Sequence, residues 1–332
     1  PIRPKPLIAT LTDIGITSNK LLRPQSILYL CFACLTLFFV SCGDDNNPVI
    51  DDGKPVNKNA NVVTTDKAVL RLEFPALKKT GRQQVIVYRV SDHQKYDNDH
   101  VNYAVEWDCD KKSQRWSCYQ MHLGYTGKYD RVTPNNNKYP QDPNIATEDR
   151  YDDVIYRSGF DHGHICPNAD RKYSYDANYQ TFYMSNMQPQ YSKFNVFSDD
   201  RKNYGLWARM EIQLRKWVDN LGPKDTIFVC KGGTIDDEKN IIKRIDGKLI
   251  VPKYFFTAVL RKYYINGKHE YIALGYWCDQ TNSYRTNETI KQHCMSIEKL
   301  EQLTGIDFFC NLPDDIEAKV EKKYDEKNWK WL

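Results

Sequence analysis

The segment 158–171 reads SGFDHGHICPNADR, and it stands out because Asp161, His162 and His164 fall within one short run. It follows a long polar stretch, 125–153, that is rich in Pro, Asn and Asp. Loops of this size inside a compact domain usually carry function or move. A His-Gly-His pattern is weak by itself, since a lone histidine beside an aspartate is most often a hydrogen-bonded structural residue. Its meaning therefore depends on the patterns that follow it.

Two further patterns lie downstream. Residues 186–190 read NMQPQ, and residues 204–220 show the apolar periodicity of a helix. Asn203 is a suitable N-cap for this helix, and the Leu-Gly-Pro sequence at 221–223 would end it. Side chains spaced by four form one ridge along a helix, and here they are Asn203, Trp207, Glu211 and Arg215. Taken alone, the Glu-Arg pair of this ridge is explained equally well by an ordinary i,i+4 ion pair.

Other segments alternate β-branched or aromatic residues with polar ones, as strands do. We predict strands at 69–74, 84–90, 102–107, 116–123, 181–186, 226–230, 249–251, 255–264 and 271–277. Helices are predicted at 296–303 and 313–323. Because the strands come in antiparallel-looking groups and the helices come late, we expect an α+β fold with a mostly antiparallel central sheet flanked by helices.

Composition excludes several classes of protein. The chain has 332 residues, of which 41% are hydrophobic and 27% charged, values that argue against disorder, collagen and multi-span membrane proteins. The formal net charge is +4, but residues 1–42 carry four bases and one acid, a net of +3, which leaves +1 for the rest. A polyanion would therefore have to be bound by a local patch of charge.

The N-terminal region is typical of an export signal. Ile27–Val40 is an uncharged apolar run preceded by Lys20 and Arg23, and it is shorter than the roughly 20 residues that a membrane span needs. The following Phe39-Val40-Ser41-Cys42 is similar to a bacterial lipobox, and the acidic residues after it resemble the surface-export signals of Bacteroidetes-type lipoproteins. We predict a lipoprotein signal peptide at 1–42 with lipidation at Cys42, a flexible tether at 43–66 and a folded domain at 67–332. The expected location is the outer membrane, facing the cell surface and held there by the lipid alone. Secretion and a periplasmic location are the alternatives.

Seven cysteines remain after residue 42, without a Cys-x-x-Cys pair, so a structural zinc site is not expected. In an oxidising compartment some of them should pair. Cys109 and Cys118 flank a polar turn and could face each other across a hairpin.

Together, the Asp-His-Gly-His segment, the NMQPQ segment and the helix ridge resemble the DNA/RNA non-specific endonuclease family. These are the ββα-metal nucleases that include Serratia nuclease and mitochondrial endonuclease G. The resemblance covers most of residues 67–332, with weaker matches at 251–256 (VPKYFF) and 303–309 (LTGIDFF). The family's Asp-Arg-Gly-His fingerprint reads Asp161-His162-Gly163-His164 here, so a histidine replaces the arginine.

The resemblance implies a role for each matching residue. His164 would be the general base that takes a proton from the attacking water, a task that suits imidazole. Glu211 would orient metal-bound water, while Arg215 and Asn186 would contact phosphate. The residues expected to contact substrate are Asp161, His162, Arg157 and Gln190. Because His162 replaces an arginine that helps to hold the scissile region, phosphate affinity or pH dependence is expected to differ; a neutral packing role is the alternative.

The family's metal ligand is an asparagine, and two criteria select different residues for it. Spacing to the helix selects Asn203, whereas spacing after the Pro-Gln pair selects Asn195. We favour Asn203, because the asparagine, glutamate and arginine should share a helix face. One protein ligand and several waters suit Mg²⁺, with Mn²⁺ or another divalent ion as alternatives.

The resemblance implies hydrolysis of DNA and RNA, bound through the phosphate backbone, to leave 5′-phosphate ends. Two alternatives remain. One is a catalytically weakened surface lipoprotein that binds nucleic acid or another polyanion. The other is a zinc hydrolase that uses His162 and His164 as ligands, although a third ligand is not suitably spaced. The sequence does not indicate an oligomeric state.

Overall fold

Antiparallel strands dominate the computed structural model, which describes residues 56–91, 97–123, 125, 129–134, 139–196 and 204–331. In chain order the strands are β1 (Gln83–Arg89), β2 (Val101–Asp108), β3 (Ser113–Met121), β4 (Asp161–His164), β5 (Met187–Gln190), β6 (Thr226–Gly233), β7 (Ile241–Ile245), β8 (Leu249–Pro252), β9 (Tyr254–Ile265), β10 (Lys268–Asp279) and β11 (Cys294–Met295). The helices are α1 (Tyr175–Gln180), α2 (Ser192–Asn195), α3 (Leu206–Val218), α4 (Ile297–Thr304) and α5 (Asp314–Lys322).

A seven-stranded sheet forms the centre of the domain. Its strand order is β1-β2-β3-β6-β9-β10-β11, and each neighbouring pair is antiparallel. Two smaller antiparallel pairs, β4-β5 and β7-β8, stand outside it. The predicted α+β class with a mostly antiparallel sheet is confirmed.

The central sheet is buried on both faces, which explains the nearly continuous apolar runs of its inner strands. Successive side chains of a strand point to opposite faces. In β9, Phe255 and Val259 pack with α3, whereas Phe256 and Leu260 pack in a second core with α4. The candidate site residues therefore lie on the α3 side, and the C-terminal helices support the sheet from behind.

Two of the predicted strands are wrong. Residues 69–74 begin in a 3₁₀ helix, Lys67–Leu70, whose first turn is capped by the Asp66 side chain. Residues 181–186 form a turn and a second 3₁₀ segment, Met184–Asn186, and the strand starts only afterwards. Both segments are apolar because they lie under other elements, and burial without pairing produces the same pattern as a buried strand.

The long helix also starts later than predicted. Its N-cap is Gly205 and its first residue is Leu206, so the expected start at Tyr204 is wrong, and so is the expected cap at Asn203. Asn203 itself lies outside the described residues.

The folded part extends to the N-terminal side of Lys67. Asn57 Nδ2 donates to the Leu312 carbonyl at 2.7 Å, and the Asn61 backbone N–H donates to Asn311 Oδ1 at 3.0 Å. The last part of the predicted tether is thus hydrogen-bonded to the C-terminal region. Ile27–Val40 and Cys42 lie outside the described residues, among which no helix has the length and apolarity to cross a membrane.

Cys109 and Cys118 do not face each other across a hairpin. Cys118 pairs in register with Ala104 on β2 and with Cys230 on β6, whereas Cys109 follows the end of β2. All seven cysteines of the described residues are free thiols, and six of them are buried.

Candidate active site

The β4-β5 pair brings the histidine segment against the NMQPQ segment. Asp161 pairs with Gln190 and His164 with Met187. Gly163 is required between the two histidines, since a Cβ there would lie 2.2 Å from Gln190 Cδ. The side chain of Gln190 therefore covers the glycine, and the short strand is held flat against its partner.

A second glycine joins α2 to α3. A Cβ on Gly205 would lie 1.9 Å from the Phe194 carbonyl oxygen, and the Gly205 N–H donates to the Val196 carbonyl at 3.0 Å. The end of α2 is thus pressed against the start of α3. Trp207 of α3 in turn donates from Nε1 to the His164 carbonyl at 3.2 Å. These contacts fix the end of α2, the end of β4 and the first turns of α3 relative to one another.

The three elements surround a cleft of about 600 Å³. Six of the predicted site residues line it: Arg157, Asp161, His162, His164, Asn195 and Glu211. Arg131 and Tyr139 also line this cleft, and they were not predicted from the sequence.

His164 is held as a neutral imidazole with one nitrogen unused. Burial, together with the nearby positive charges of Arg131 and His162, lowers the pKa of His164 to about 3. The ring is hydrogen-bonded to the backbone of His162, while Nε2 is buried and has no hydrogen-bond partner in the described residues. The backbone contact therefore uses Nδ1, which leaves the Nε2 lone pair as a proton acceptor.

His162 has a carboxylate partner. Its Nε2 lies 2.7 Å from Asp153 Oδ1, and its ring stacks on Tyr139 with a centroid distance of 4.0 Å and an interplanar angle of 14°. Although burial acts in the opposite direction, the hydrogen bond and positive charge of His162 keep the pKa of Asp153 below its usual range. The histidine is therefore held on the cleft wall by a hydrogen bond on one side and a stacked ring on the other.

Glu211 is buried on α3 beside a buried lysine. Burial raises the pKa of Glu211, and the positive charges of Lys231 and Arg215 oppose that rise. Lys231 Nζ lies 3.4 Å from Glu211 Oε1 and 4.2 Å from the centre of the Trp207 ring. A buried charge needs such partners, because an uncompensated one is costly.

Of the two candidate metal ligands, Asn195 is the one that the described residues place in the cleft. It is the last residue of α2, and its Nδ2 donates to Asp161 Oδ2 at 3.3 Å. Its amide oxygen is the atom left for a ligand. Asn203 was favoured because it would share a helix face with Glu211, but α3 begins only at Leu206, so that reason no longer applies.

Three predicted site residues do not line the cleft. Asn186 is fully buried, and both of its amide atoms are hydrogen-bonded inside the protein, including Nδ2 to the Cys166 and Thr181 carbonyls at 2.8 Å each. This asparagine ties β4 to the segment before β5, so a direct phosphate contact is not its role. Gln190 is buried under Gly163. Arg215 donates from Nη1 to the buried Asp170 at 2.8 Å.

Sequence reasoning missed Asp153, Tyr139, Arg131 and Lys231. The first three lie in the long polar loop, and the position of a residue in such a loop does not predict which strand it will contact. Lys231 did carry a signal, because it is the one charged residue in the otherwise apolar strand TIFVCKGG.

The donors in the cleft suit a hard divalent cation. The oxygens of Asn195, Asp161 and Glu211 line one cavity, and carboxylate and amide oxygens are what Mg²⁺ prefers. A zinc site at the two histidines is not supported. His162 is paired with Asp153, and the described residues contain just one cluster of three potential His, Cys, Asp or Glu ligands, formed by Glu301, Asp307 and Glu321. That cluster does not line the cleft.

Comparison with known proteins agrees with the family resemblance found in the sequence. The family model for the DNA/RNA non-specific endonuclease matches residues 84–315. Similar proteins include the mitochondrial nuclease EXOG of Xenopus laevis, 25% identical over 65% of this chain and 59% of that protein, and a nuclease of Nostoc sp., 28% identical over 67% of this chain and 76% of that protein. The human mitochondrial nuclease EXOG is 26% identical over 64% of this chain and 56% of its own length. The chain therefore spans less than two thirds of either EXOG protein.

A solved structure of the EndoG/EndoGI complex contains a chain with the same fold. It matches with a TM-score of 0.56 at 20% identity, covering 76% of this chain and 96% of that one. Since the family model matches well over half of its residues, this chain belongs to the DNA/RNA non-specific endonuclease family.

Proposed function

We propose that this protein is a metal-dependent endonuclease that hydrolyses phosphodiester bonds of DNA and RNA in the 600 Å³ cleft. The observation that carries the proposal is the His164 ring. Its Nε2 is buried, unprotonated and without a partner in the described residues, in the same cleft as Asn195 and Glu211. A buried polar atom left without a partner is costly unless a substrate or water uses it.

In this mechanism His164 Nε2 accepts a proton from the attacking water. The tautomer is fixed by the bond from Nδ1 to the strand backbone, so the acceptor lone pair stays on Nε2. A positioned base of this kind contributes about 10²–10⁴-fold. The P–O3′ bond breaks as the water oxygen attacks, which leaves a 5′-phosphate on one fragment and a 3′-hydroxyl on the other.

Asn195 would hold the metal through its amide oxygen, and Glu211 would hold a metal-bound water. When bound, a divalent ion such as Mg²⁺ stabilises the extra negative charge on the phosphate and the leaving oxygen. The charge of Lys231 opposes the rise that burial causes in the pKa of Glu211. Arg131 and Arg157 line the same cleft, and their guanidinium groups suit phosphate oxygens. The substrate would be held through its backbone, with affinity that falls as salt rises.

The test is fragment release from plasmid DNA and from RNA by the purified chain, with Mg²⁺, with EDTA and as His164→Ala. We expect cleavage of both nucleic acids, abolished by EDTA and reduced by at least about 10²-fold in the variant. His122→Ala is the matched control. His122 is also buried, and burial lowers its pKa to about 4, but it does not line the cleft. If the wild type retains nucleic acid but releases no fragments with any divalent ion, the protein is a binding module.

We propose further that the protein is exported as a lipoprotein anchored through Cys42. The support is the apolar run followed by the lipobox-like sequence. Metabolic labelling with radioactive palmitate should mark the wild type and leave Cys42→Ser unlabelled. Equal labelling of both would refute the anchor.

A further inference from the structure

The rim of the cleft carries an exposed aromatic side chain that the proposed mechanism does not use. Tyr156 is 66% exposed, more than any other aromatic residue that the structure describes, and it lines the same cleft as His164. A single exposed tyrosine is ordinary on a protein surface, so its place at the cleft is the informative observation. We propose that Tyr156 stacks on an unpaired base of the substrate, so that the protein cleaves single-stranded nucleic acid in preference to duplexes. The inference rests on the proposed nuclease function.

A tight turn presents this ring, and hydrogen bonds fix the turn to the protein. The Ser158 N–H donates to the Ile155 carbonyl at 3.0 Å, which closes a four-residue turn with Tyr156 and Arg157 at its two central positions. Ile155 is fully buried, and the Tyr156 N–H donates to Asp153 Oδ1 at 3.3 Å. The base of the turn is therefore anchored, while both residues at its tip line the cleft.

Arg157 has an unusual backbone conformation in this turn. Its φ is 62°, in the left-handed region that favours glycine and that long side chains seldom adopt. Strained residues of this kind cluster at active sites and ligand-binding sites. The Arg157 guanidinium carbon lies 5.1 Å from the centre of the Tyr156 ring, and a cation over an aromatic face is a favourable contact. The arginine therefore supports the ring from one side, and the exposed part of Tyr156 stays open to a base.

The chemistry of this pair fits a nucleotide of a single strand. Every base has an aromatic face, so stacking on a tyrosine tolerates any sequence, and the adjacent guanidinium suits a phosphate of the same strand. In a duplex each base already stacks on its neighbours, and it must leave that stack before a protein ring can reach its face. An unpaired base avoids this cost. Tyr156 should therefore strengthen the binding of single strands more than the binding of duplexes.

Two other aromatic rings among the described cleft residues are less open. Tyr139 is partly buried, and the His162 ring stacks on it at a centroid distance of 4.0 Å. Phe160 is 9% exposed, and Lys243 Nζ lies 5.1 Å from the centre of its ring. Of these three rings, Tyr156 is therefore the one with a surface large enough for a base.

The experiment measures KM and kcat with Mg²⁺ for three substrates of equal length. They are end-labelled oligo(dT), the same labelled strand paired with oligo(dA), and an abasic strand that keeps every phosphate but has no bases. We expect Tyr156→Ala to raise the KM for oligo(dT) by about 5- to 150-fold, the range that loss of one base-stacking ring typically gives. The kcat should change little, since stacking binds the ground state and the transition state alike. Tyr156→Phe should keep the wild-type KM, because it retains the ring.

The other two substrates and a second tyrosine provide the controls. Removal of the bases should raise the KM of the wild type, and it should raise the KM of Tyr156→Ala by a smaller factor, because the ring that used the bases is gone. For the duplex, Tyr156→Ala should change KM little. Tyr175 is 56% exposed and begins α1, and it does not line the cleft. Tyr175→Ala should therefore reproduce the wild-type KM for all three substrates.

The outcomes separate the inference from the proposed function. If Tyr156→Ala raises KM by equal factors for the single strand and the duplex, the inference is overturned and the nuclease assignment stands. Equal effects of base removal in the wild type and in Tyr156→Ala would overturn it as well.

If the wild type cleaves none of the substrates, the proposed function fails, and the affinities of the same oligonucleotides are compared by fluorescence anisotropy. Equal affinities of the wild type and Tyr156→Ala for oligo(dT) would then overturn the inference. Circular dichroism shows whether each variant is folded. Tyr156→Leu, which is apolar but has no aromatic face, serves if Tyr156→Ala is not.

Discussion

The buried Lys231 ammonium lies beside Glu211, and replacing it tests whether this charge pair stabilises the site. Lys231→Met removes the charge and keeps an unbranched apolar chain of similar length over Trp207. At the observed 3.4 Å, two unit charges interact by about 5 kcal/mol at an effective dielectric constant of 20. Breaking a buried pair by removing one partner typically costs about 3–5 kcal/mol. We therefore expect a loss of about that size in the free energy of unfolding.

The assay is urea unfolding followed by circular dichroism, for the wild type, Lys231→Met, Glu211→Gln and the double variant. Glu211→Gln in the Lys231→Met background should restore most of the lost stability, because the uncompensated carboxylate is then gone. The double variant should remain inactive, since its water-holding carboxylate is missing. Lys216→Met, on the exposed side of the same helix, should change stability by less than about 0.5 kcal/mol.

Activity adds a second readout. Without Lys231 the pKa of Glu211 rises further, so Lys231→Met should recover part of its activity as pH is raised, provided that it is still folded. Strictly additive effects of the two substitutions on stability would refute the reasoning, because they would mean that Lys231 and Glu211 do not interact.

Three further predictions follow from the same structure. The pKa of His164 is about 6.5 in the unfolded chain and about 3 in the folded protein, so between these values the unfolded state binds one more proton. The free energy of unfolding should therefore decrease by roughly 1.4 kcal/mol for each unit by which the pH is lowered in that window. Acid melts of His164→Gln should show a shallower slope. Burial raises the pKa values of the Glu301, Glu317 and Glu321 carboxyls to about 7, 7 and 8, so the free energy of unfolding should decrease as pH rises from about 4.5 through 8. Glu321→Gln should raise the Tm at pH 8 but not at pH 5. An equal shift in Tm at both pH values would contradict this explanation. Asn195→Ala should reduce Mg²⁺-dependent cleavage by at least about tenfold with little change in Tm, whereas Asn203→Ala should change it little; the reverse order would restore Asn203 as the ligand.

Much of the architecture was predictable because its signals are local. The strands of the central sheet alternate or are continuously apolar, and ten of the predicted segments fall on observed strands or helices despite shifted ends. The failures at 69–74 and 181–186 share one cause. These segments are apolar because other elements cover them, while their backbone polar groups are satisfied by turns and by side chains such as Asp66. The spacing of apolar residues indicates that a segment is buried, but it does not indicate which groups form hydrogen bonds with the backbone of that segment.

The sequence alone determined the family and the residue types at the site, because the Asp-His-Gly-His, NMQPQ and Trp-Glu-Arg patterns each lie within one short element. Only the tertiary structure decided which residues share the cleft. It brought Tyr139 into the cleft, placed Asp153 beside His162 and Lys231 beside Glu211, and buried Asn186 in a structural role. It also placed Asn195 beside Asp161 through the contact of Gly205 with Phe194. These contacts join different elements of the fold, and the spacing of the residues along the sequence carries no information about the distance between them in space.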